Sequence, residues 1–194
     1  MAGTIKTNAV QLGDSATATQ NFTLRTNADG TATLARGNVG ATTQDVLTIA
    51  ADGTVKLPAS VTPVFSVYQS TLQTVPNITS VKALFQTKEY DPTNAFDTST
   101  SRFQPSIAGW YQLNGTTLYG VTAPSILTRI YKNGAAFKDG AYSTAYSASV
   151  SSLVYMNGTT DYVEIYTYHS YGAPANTVIG SSGTWFNGIL IART

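Results

Sequence analysis

The stretch Phe96-Asp97-Thr98-Ser99-Thr100-Ser101-Arg102-Phe103-Gln104-Pro105-Ser106-Ile107-Ala108-Gly109-Trp110-Tyr111 decides how this chain is read. A polar turn leads into a short apolar hook closed by Pro105, and Gly109 then opens a long run. Phe96, Phe103 and Tyr111 are spaced too irregularly for a helix face, and Pro105 breaks any helix attempted there. From Gly109 onward the pattern has period two. Tyr111, Leu113, Thr117, Tyr119 and Val121 share one face, and Gln112, Asn114 and Thr116 share the other, which marks a half-buried strand.

Outward from this stretch the composition describes an all-β protein. Twelve Tyr, sixteen Gly and abundant Thr and Val accompany frequent short turn signals. The spacing predicts strands at about 64–69, 80–88, 109–121, 126–132, 135–142, 145–156, 161–169 and 184–192, with hairpin turns at Asn133-Gly134 and Asn157-Gly158. Residues 141–157 are the longest segment without Gly or Pro, and the alternation of Ala148, Val150, Ser152, Val154 and Met156 favours a strand over a helix.

Residues 1–60 differ from 61–194. Their one aromatic residue is Phe22, too little for an independent core of any size. They carry a weak repeat: Asn27-Ala-Asp29-Gly30-Thr-Ala-Thr-Leu34-Ala35 returns as Ala50-Ala-Asp52-Gly53-Thr-Val-Lys-Leu57-Pro58. Each copy reads as an Asp-Gly turn between short strands, with Gly supplying the positive φ. Lone hairpins are marginal in water, so Leu24, Leu34, Leu47, Ile49 and Leu57 are expected to be covered by other copies of the chain.

Charged residues make up 11% of the chain and the formal net charge is +1. No basic face for nucleic acid is implied, nor a polybasic membrane contact. Cysteine is absent, so neither disulfides nor thiolate chemistry contribute. No segment approaches the roughly 20 apolar residues that span a bilayer, and the N-terminus shows no apolar export core, so synthesis in a cytoplasm is expected. The single histidine, His169, rules out a multi-His metal site. Glu89, Asp91 and Asp97 are the densest acidic group and read as turn residues rather than as a glycosidase pair. The four Asn-X-Thr matches, at Asn21, Asn77, Asn114 and Asn157, read as turns. No Gly-rich phosphate loop is present.

The order Phe96-Asp97, Phe103, Pro105, Gly109 and Tyr111 resembles the signature of the C1q/TNF-like domain. Flanking pieces follow in the same order: Phe65-Ser-Val-Tyr68, Tyr131-Lys-Asn-Gly134, Asn157-Gly158 with Asp161-Tyr-Val163, and Trp185-Phe186-Asn-Gly188-Ile-Leu190. The resemblance covers 61–194 and implies a ten-stranded jelly roll that assembles as a trimer. It is nearest to the C1q-like heads of bacteriophage fibre proteins, and the segments Thr4–Asp14 and Leu34–Gly40 resemble their lead-in regions. By that resemblance residues 1–60 form a β stem that attaches to other virion proteins, and 61–194 form the head. The expected protein is a non-enzymatic virion fibre, made in the host cytoplasm, whose trimeric head binds a host-cell surface receptor, a glycan in the first place. The alternatives are a capsid-decorating fibre without a receptor role and a free bacterial C1q-like lectin. No cofactor is expected. Calcium, bound by some relatives, would fall to Asp91 and Asp97.

With the C-terminus at the base, the loops at 122–125, 140–147 and 169–184 fall at the far end, since successive jelly-roll connections alternate between ends. Tyr142, Tyr146, His169, Tyr171, Asn176 and Thr177 lie in or beside them and form the expected receptor site. Tyr162, Tyr166 and Tyr168 occupy one strand face opposite Val163 and Ile165, and are expected at the trimer interface.

Overall fold

The computed structural model describes residues 9–17, 20–39, 41–56 and 62–194. The chain divides into two compact units, Met1–Ser60 and Val61–Thr194.

In the first unit, β1 (Ala9–Leu12), β2 (Phe22–Thr26), β3 (Ala32–Asn38), β4 (Ala41–Ile49) and β5 (Val55–Lys56) form one antiparallel sheet in sequence order. The internal repeat is one turn built twice. The Asn27 N–H donates to the Thr31 carbonyl and the Ala50 N–H to the Thr54 carbonyl, while Gly30 and Gly53 take φ of 82° and 84°. The Asp29 and Asp52 carboxylates accept the Thr31 and Thr54 N–H groups. Asp29, held chiefly by the Thr31 hydroxyl, and Asp52, held chiefly by the Thr54 N–H, both lie below the usual carboxylate range. Val10, Leu24, Leu34 and Leu47 are successive cross-strand partners and so form one apolar row on one face. Leu24 and Ile49 are exposed, and Leu34 and Leu47 are half-buried. Leu57 lies outside the described residues.

The second unit contains β6 (Val64–Tyr68), β7 (Thr74–Val75), β8 (Val81–Lys82), β9 (Thr87–Tyr90), β10 (Phe96–Asp97), β11 (Arg102–Phe103), β12 (Gly109–Leu118), β13 (Ile126–Lys132), β14 (Ala135–Asp139), β15 (Ser147–Met156), β16 (Val163–His169), β17 (Ala175–Asn176) and β18 (Trp185–Arg193). Two sheets face each other, one ordered β15-β12-β18-β6-β9 and the other β10-β11-β16-β13-β14. Strand β8 also pairs β16, and β7 pairs β17.

The decisive stretch makes the β10–β11 hairpin and then crosses between sheets. Phe96 opposes Phe103 across a turn in which the Asp97 carboxylate accepts the Ser99 N–H and the Ser99 and Thr100 hydroxyls. These hydroxyls, Ser99 first, hold the Asp97 pKa at about 2. The Tyr111 hydroxyl then donates to the Ile107 carbonyl and fixes the hook. Tyr111, Leu113, Thr117 and Tyr119 point inward as the alternation predicts. Phe65, Phe85, Phe96, Phe103 and Phe186 join Tyr111, Leu113, Ile130, Val154 and Ile165 in the main core.

Two expectations fail for one reason, that a single segment changes sheets. The strand expected at 80–88 breaks into β8, in one sheet, and β9, in the other, while Ala83 and Phe85 between them turn into the core. The Phe85 N–H is satisfied by the Ser101 hydroxyl instead of a ladder. Asn133-Gly134 is a hairpin between β13 and β14, with φ of 54° and 81°. Asn157-Gly158 is not one, because β15 and β16 belong to different sheets. There the Asn157 side-chain carbonyl accepts the N–H groups of Thr159, Thr160 and Asp161.

Candidate functional site

The chain enters the head beside β6 and leaves through β18, and these antiparallel strands put Val64 and Arg193 at the same end. Residues 69–80, 119–125, 140–146 and 170–184 gather at the opposite end. The 119–125 loop is the hub of this crown. The Tyr119 N–H donates to the Tyr146 carbonyl, the Gly120 N–H to the Asn176 carbonyl, and the Ser170 N–H to the Ser125 carbonyl. Loop 69–80 is laced to the last loop by the β7–β17 pair, by Gly180 N–H on the Gln69 carbonyl, and by Gly172 N–H on the Asn77 side chain at 2.8 Å. None of these four segments contains Asp, Glu, Lys or Arg.

Beneath the crown an apolar cluster of Val75, Tyr119, Ala123, Ile126, Ala148 and Ala175 adjoins a layer of buried polar groups. Thr117, Thr128 and Thr167 are fully buried and hydrogen-bonded through their hydroxyls. The Tyr119 hydroxyl meets Thr167 at 2.7 Å, and burial pushes its pKa up to about 12. Such a satisfied network fixes the loops above it, since any broken link leaves a buried polar group unpaired.

Of the residues expected in the receptor site, Tyr142, Tyr146 and Tyr171 stand 67%, 53% and 44% exposed. Asn176 is exposed too, accepting the Thr74 hydroxyl. His169 and Thr177 are corrected. His169 is fully buried: Nε2 lies 3.0 Å from the Val75 carbonyl, Nδ1 accepts the Tyr171 N–H, and the ring meets Tyr119 edge-on. Thr177 is buried, and its hydroxyl donates to the Gln69 side chain. Both hold the crown together from below and offer no side-chain surface to a ligand.

The crown also contains residues that the sequence pattern did not single out. Ile78 is 66% exposed and adopts φ of 55°, a conformation that β-branched side chains avoid. Its N–H donates to the His169 carbonyl. Leu72 and Ile179 are exposed as well. The tetrad Pro76-Asn77-Ile78-Thr79 reads as a turn, but nothing in it announces that the isoleucine takes the left-handed position.

Tyr162, Tyr166 and Tyr168 do point away from the core, but they are only half-exposed. Tyr166 stacks on Tyr131 at 3.7 Å, and Arg102 lies 4.1 Å over the Tyr162 ring. Buried Glu164 between them accepts Arg102 Nε and Lys82 Nζ. This flank is charged and internally partnered. A group of exposed apolar side chains lies on the other sheet: Trp110, Leu153, Tyr155, Ile189 and Ile191. Trp110 and Tyr155 rings pack at 5.7 Å. Gln112, Asn114, Ser151 and Asn187 hydrogen-bond one another in the middle of this face, and β12 and β15 carry no charged residue.

The acidic group is committed to its own turns. Glu89 accepts the Ser66 hydroxyl, and Asp91 pairs with Lys88 at 2.8 Å while accepting the Ala95 and Phe96 N–H groups. Asp97 borders a depression of about 350 Å³ near Gln104, Pro105 and Thr159. Among the described residues no three His, Asp or Glu side chains are grouped to hold a metal.

No known protein family is matched by the sequence, and no curated protein matches it. Solved structures do match the fold. Murine APRIL at pH 5.0 aligns with a TM-score of 0.54 at 11% identity, over 67% of this chain and 99% of that one. Eiger TNF from S. frugiperda aligns with a TM-score of 0.53 at 10% identity, over 69% and 94%. The globular domain of zebrafish complement 1qA gives a TM-score of 0.49 at 19% identity, over 69% and 99%. The APRIL and Eiger alignments show that the head has the TNF-like jelly-roll fold.

Proposed function

We propose that this chain is the subunit of a homotrimeric, non-enzymatic virion fibre of a bacteriophage, made in the host cytoplasm, whose head binds a glycan on the host-cell surface. The observation that carries the reading is the crown: four hydrogen-bonded loops on a rigid barrel, displaying Tyr142, Tyr146, Tyr171 and Asn176. Large aromatic side chains with polar tips, set among Ser, Gly and Asn, give contact area at low entropic cost. Trimer formation is supported by the face around Trp110, Leu153, Tyr155 and Ile189, where β12 and β15 carry no charged residue, a better candidate for contact between copies than the charged flank of Tyr162, Tyr166 and Tyr168. An obligate interface of this kind buries about 2,000–5,000 Å² in total. The apolar row Val10, Leu24, Leu34 and Leu47 supports a stem in which copies cover one another's sheets.

A trimer presents its site three times, so weak individual contacts gain avidity from high effective concentration. Competition binding to intact host cells tests the reading, comparing the wild type with Tyr142→Ala/Tyr146→Ala/Tyr171→Ala. Loss of competition by a variant that still sediments as a trimer is the expected result. Retained competition removes the crown from the site.

A further inference from the structure

We infer that the ligand-contacting edge of the crown is the corner formed by Asn77, Ile78, Tyr171 and Gly172, and that it takes an electrically neutral polysaccharide. This deepens the glycan-receptor reading and rests on it.

The corner is assembled from two loops far apart in sequence. Asn77 accepts the Gly172 N–H at 2.8 Å, Ile78 donates to the His169 carbonyl, and the Tyr171 N–H is held by His169 Nδ1. The two large side chains that result, Ile78 and Tyr171, are both exposed. Ile78 is held at positive φ, where glycine or asparagine is the stable choice, yet its side chain contributes little to the interior at 66% exposure. A strained backbone that presents an apolar group to solvent has no packing reason to persist, and strain of this kind gathers at ligand-contact positions.

The chemistry of the ligand follows from charge. All four crown segments lack Asp, Glu, Lys and Arg, and His169 is sealed beneath them. An anionic polysaccharide or a phosphorylated lipid core would meet no cation here, and its charge would be desolvated without compensation. A neutral sugar fits: its C–H face packs on Ile78 and Tyr171, while Asn77, Asn176 and the Tyr171 hydroxyl are of the right kind to exchange hydrogen bonds with its hydroxyl groups.

The test uses the full-length protein and immobilised polysaccharides, neutral (dextran, mannan, galactan) and acidic (polysialic acid, alginate, polygalacturonate). The wild type is expected to bind a neutral member, with affinity changing less than about twofold between low and high salt. Ile78→Gly, which removes the side chain and its strain together, is expected to unfold at an equal or higher temperature yet bind at least about tenfold more weakly, as Tyr171→Ala does. Unchanged binding by the well-folded Ile78→Gly variant overturns the placement. Binding confined to acidic members and lost with salt overturns the neutral ligand but leaves the receptor reading intact. Binding to no polysaccharide, with host-cell attachment retained, also overturns the inference alone. Loss of cell attachment as well removes both.

Discussion

The ring of Phe65 lies 4.2 Å from that of Phe103, nearly parallel to it, and this stack joins β6 of one sheet to β11 of the other. Phe186 meets Phe65 edge-on at 4.8 Å, so the clamp reaches the final strand as well. Phe103→Ala is therefore expected to destabilise the head by about 3–5 kcal/mol, through lost burial and the cavity left behind. Phe137→Ala, on an exposed strand, should stay within about 0.5 kcal/mol. Urea unfolding followed by near-UV circular dichroism separates the two.

Gly109 leaves no room for a side chain. A Cβ there would lie 2.2 Å from the Ala192 carbonyl oxygen and 2.8 Å from Leu190 Cδ1. Gly109→Ala must push β18 off β12 and should cost about 3 kcal/mol or more. A melting temperature equal to the wild type's would contradict this packing.

Asp161 ties together the base of β13 and the crossover from β15. It accepts Asn133 Nδ2 at 2.8 Å and the Asn157 N–H at 3.0 Å, and pairs with Lys132 at 2.9 Å. Burial pulls its pKa upward, but the Asn133 and Lys132 hydrogen bonds outweigh it and the value ends below 3.8. A carboxylate lowered by folding stabilises fully above its unfolded value, and that contribution fades as pH falls through the folded value. Asp161→Asn should thus lower stability by about 1–3 kcal/mol at pH 7. In denaturant titrations the gap between variant and wild type should close as the pH is taken from 4 towards about 2. A gap that stays constant into acid would contradict the assignment.

The two outer faces make opposite forecasts for assembly. Trp110→Asp/Leu153→Asp places carboxylates on the face of β12 and β15 and should reduce the sedimenting species from three chains to one. Tyr166→Asp, on the charged flank, should leave the trimer intact while weakening the Tyr131 stack. The reverse pattern would return the interface to Tyr162, Tyr166 and Tyr168.

His169→Leu leaves the Tyr171 N–H without its partner and takes one of two donors from the Val75 carbonyl, which keeps the Ala175 N–H of the β7–β17 pair. The lost hydrogen bonds cost about 0.5–1.5 kcal/mol each and the edge-on contact with Tyr119 goes with them, so the melting temperature should drop. Amide exchange should quicken at Ile78 and Tyr171 before it does in β12. Uniform loosening of the whole barrel would argue against a support confined to the crown.

Much of the fold was legible because strand alternation and turn chemistry are local. Tyr111, Leu113, Thr117 and Tyr119 face inward because of spacing alone, and Asn133-Gly134 turns because those residues tolerate positive φ. The repeated Asp-Gly turns obey the same rule. What the sequence left open depends on partners distant in the chain. Whether Asn157-Gly158 closes a hairpin or crosses between sheets is decided by which strands β15 and β16 pair with. Whether His169 meets solvent or the Val75 carbonyl is decided by a loop more than ninety residues earlier. Local residue pattern determined an all-β chain with its inward and outward faces. Only tertiary packing decided which outward side chains stay bare, because exposure belongs to the neighbours a residue acquires rather than to the residue itself.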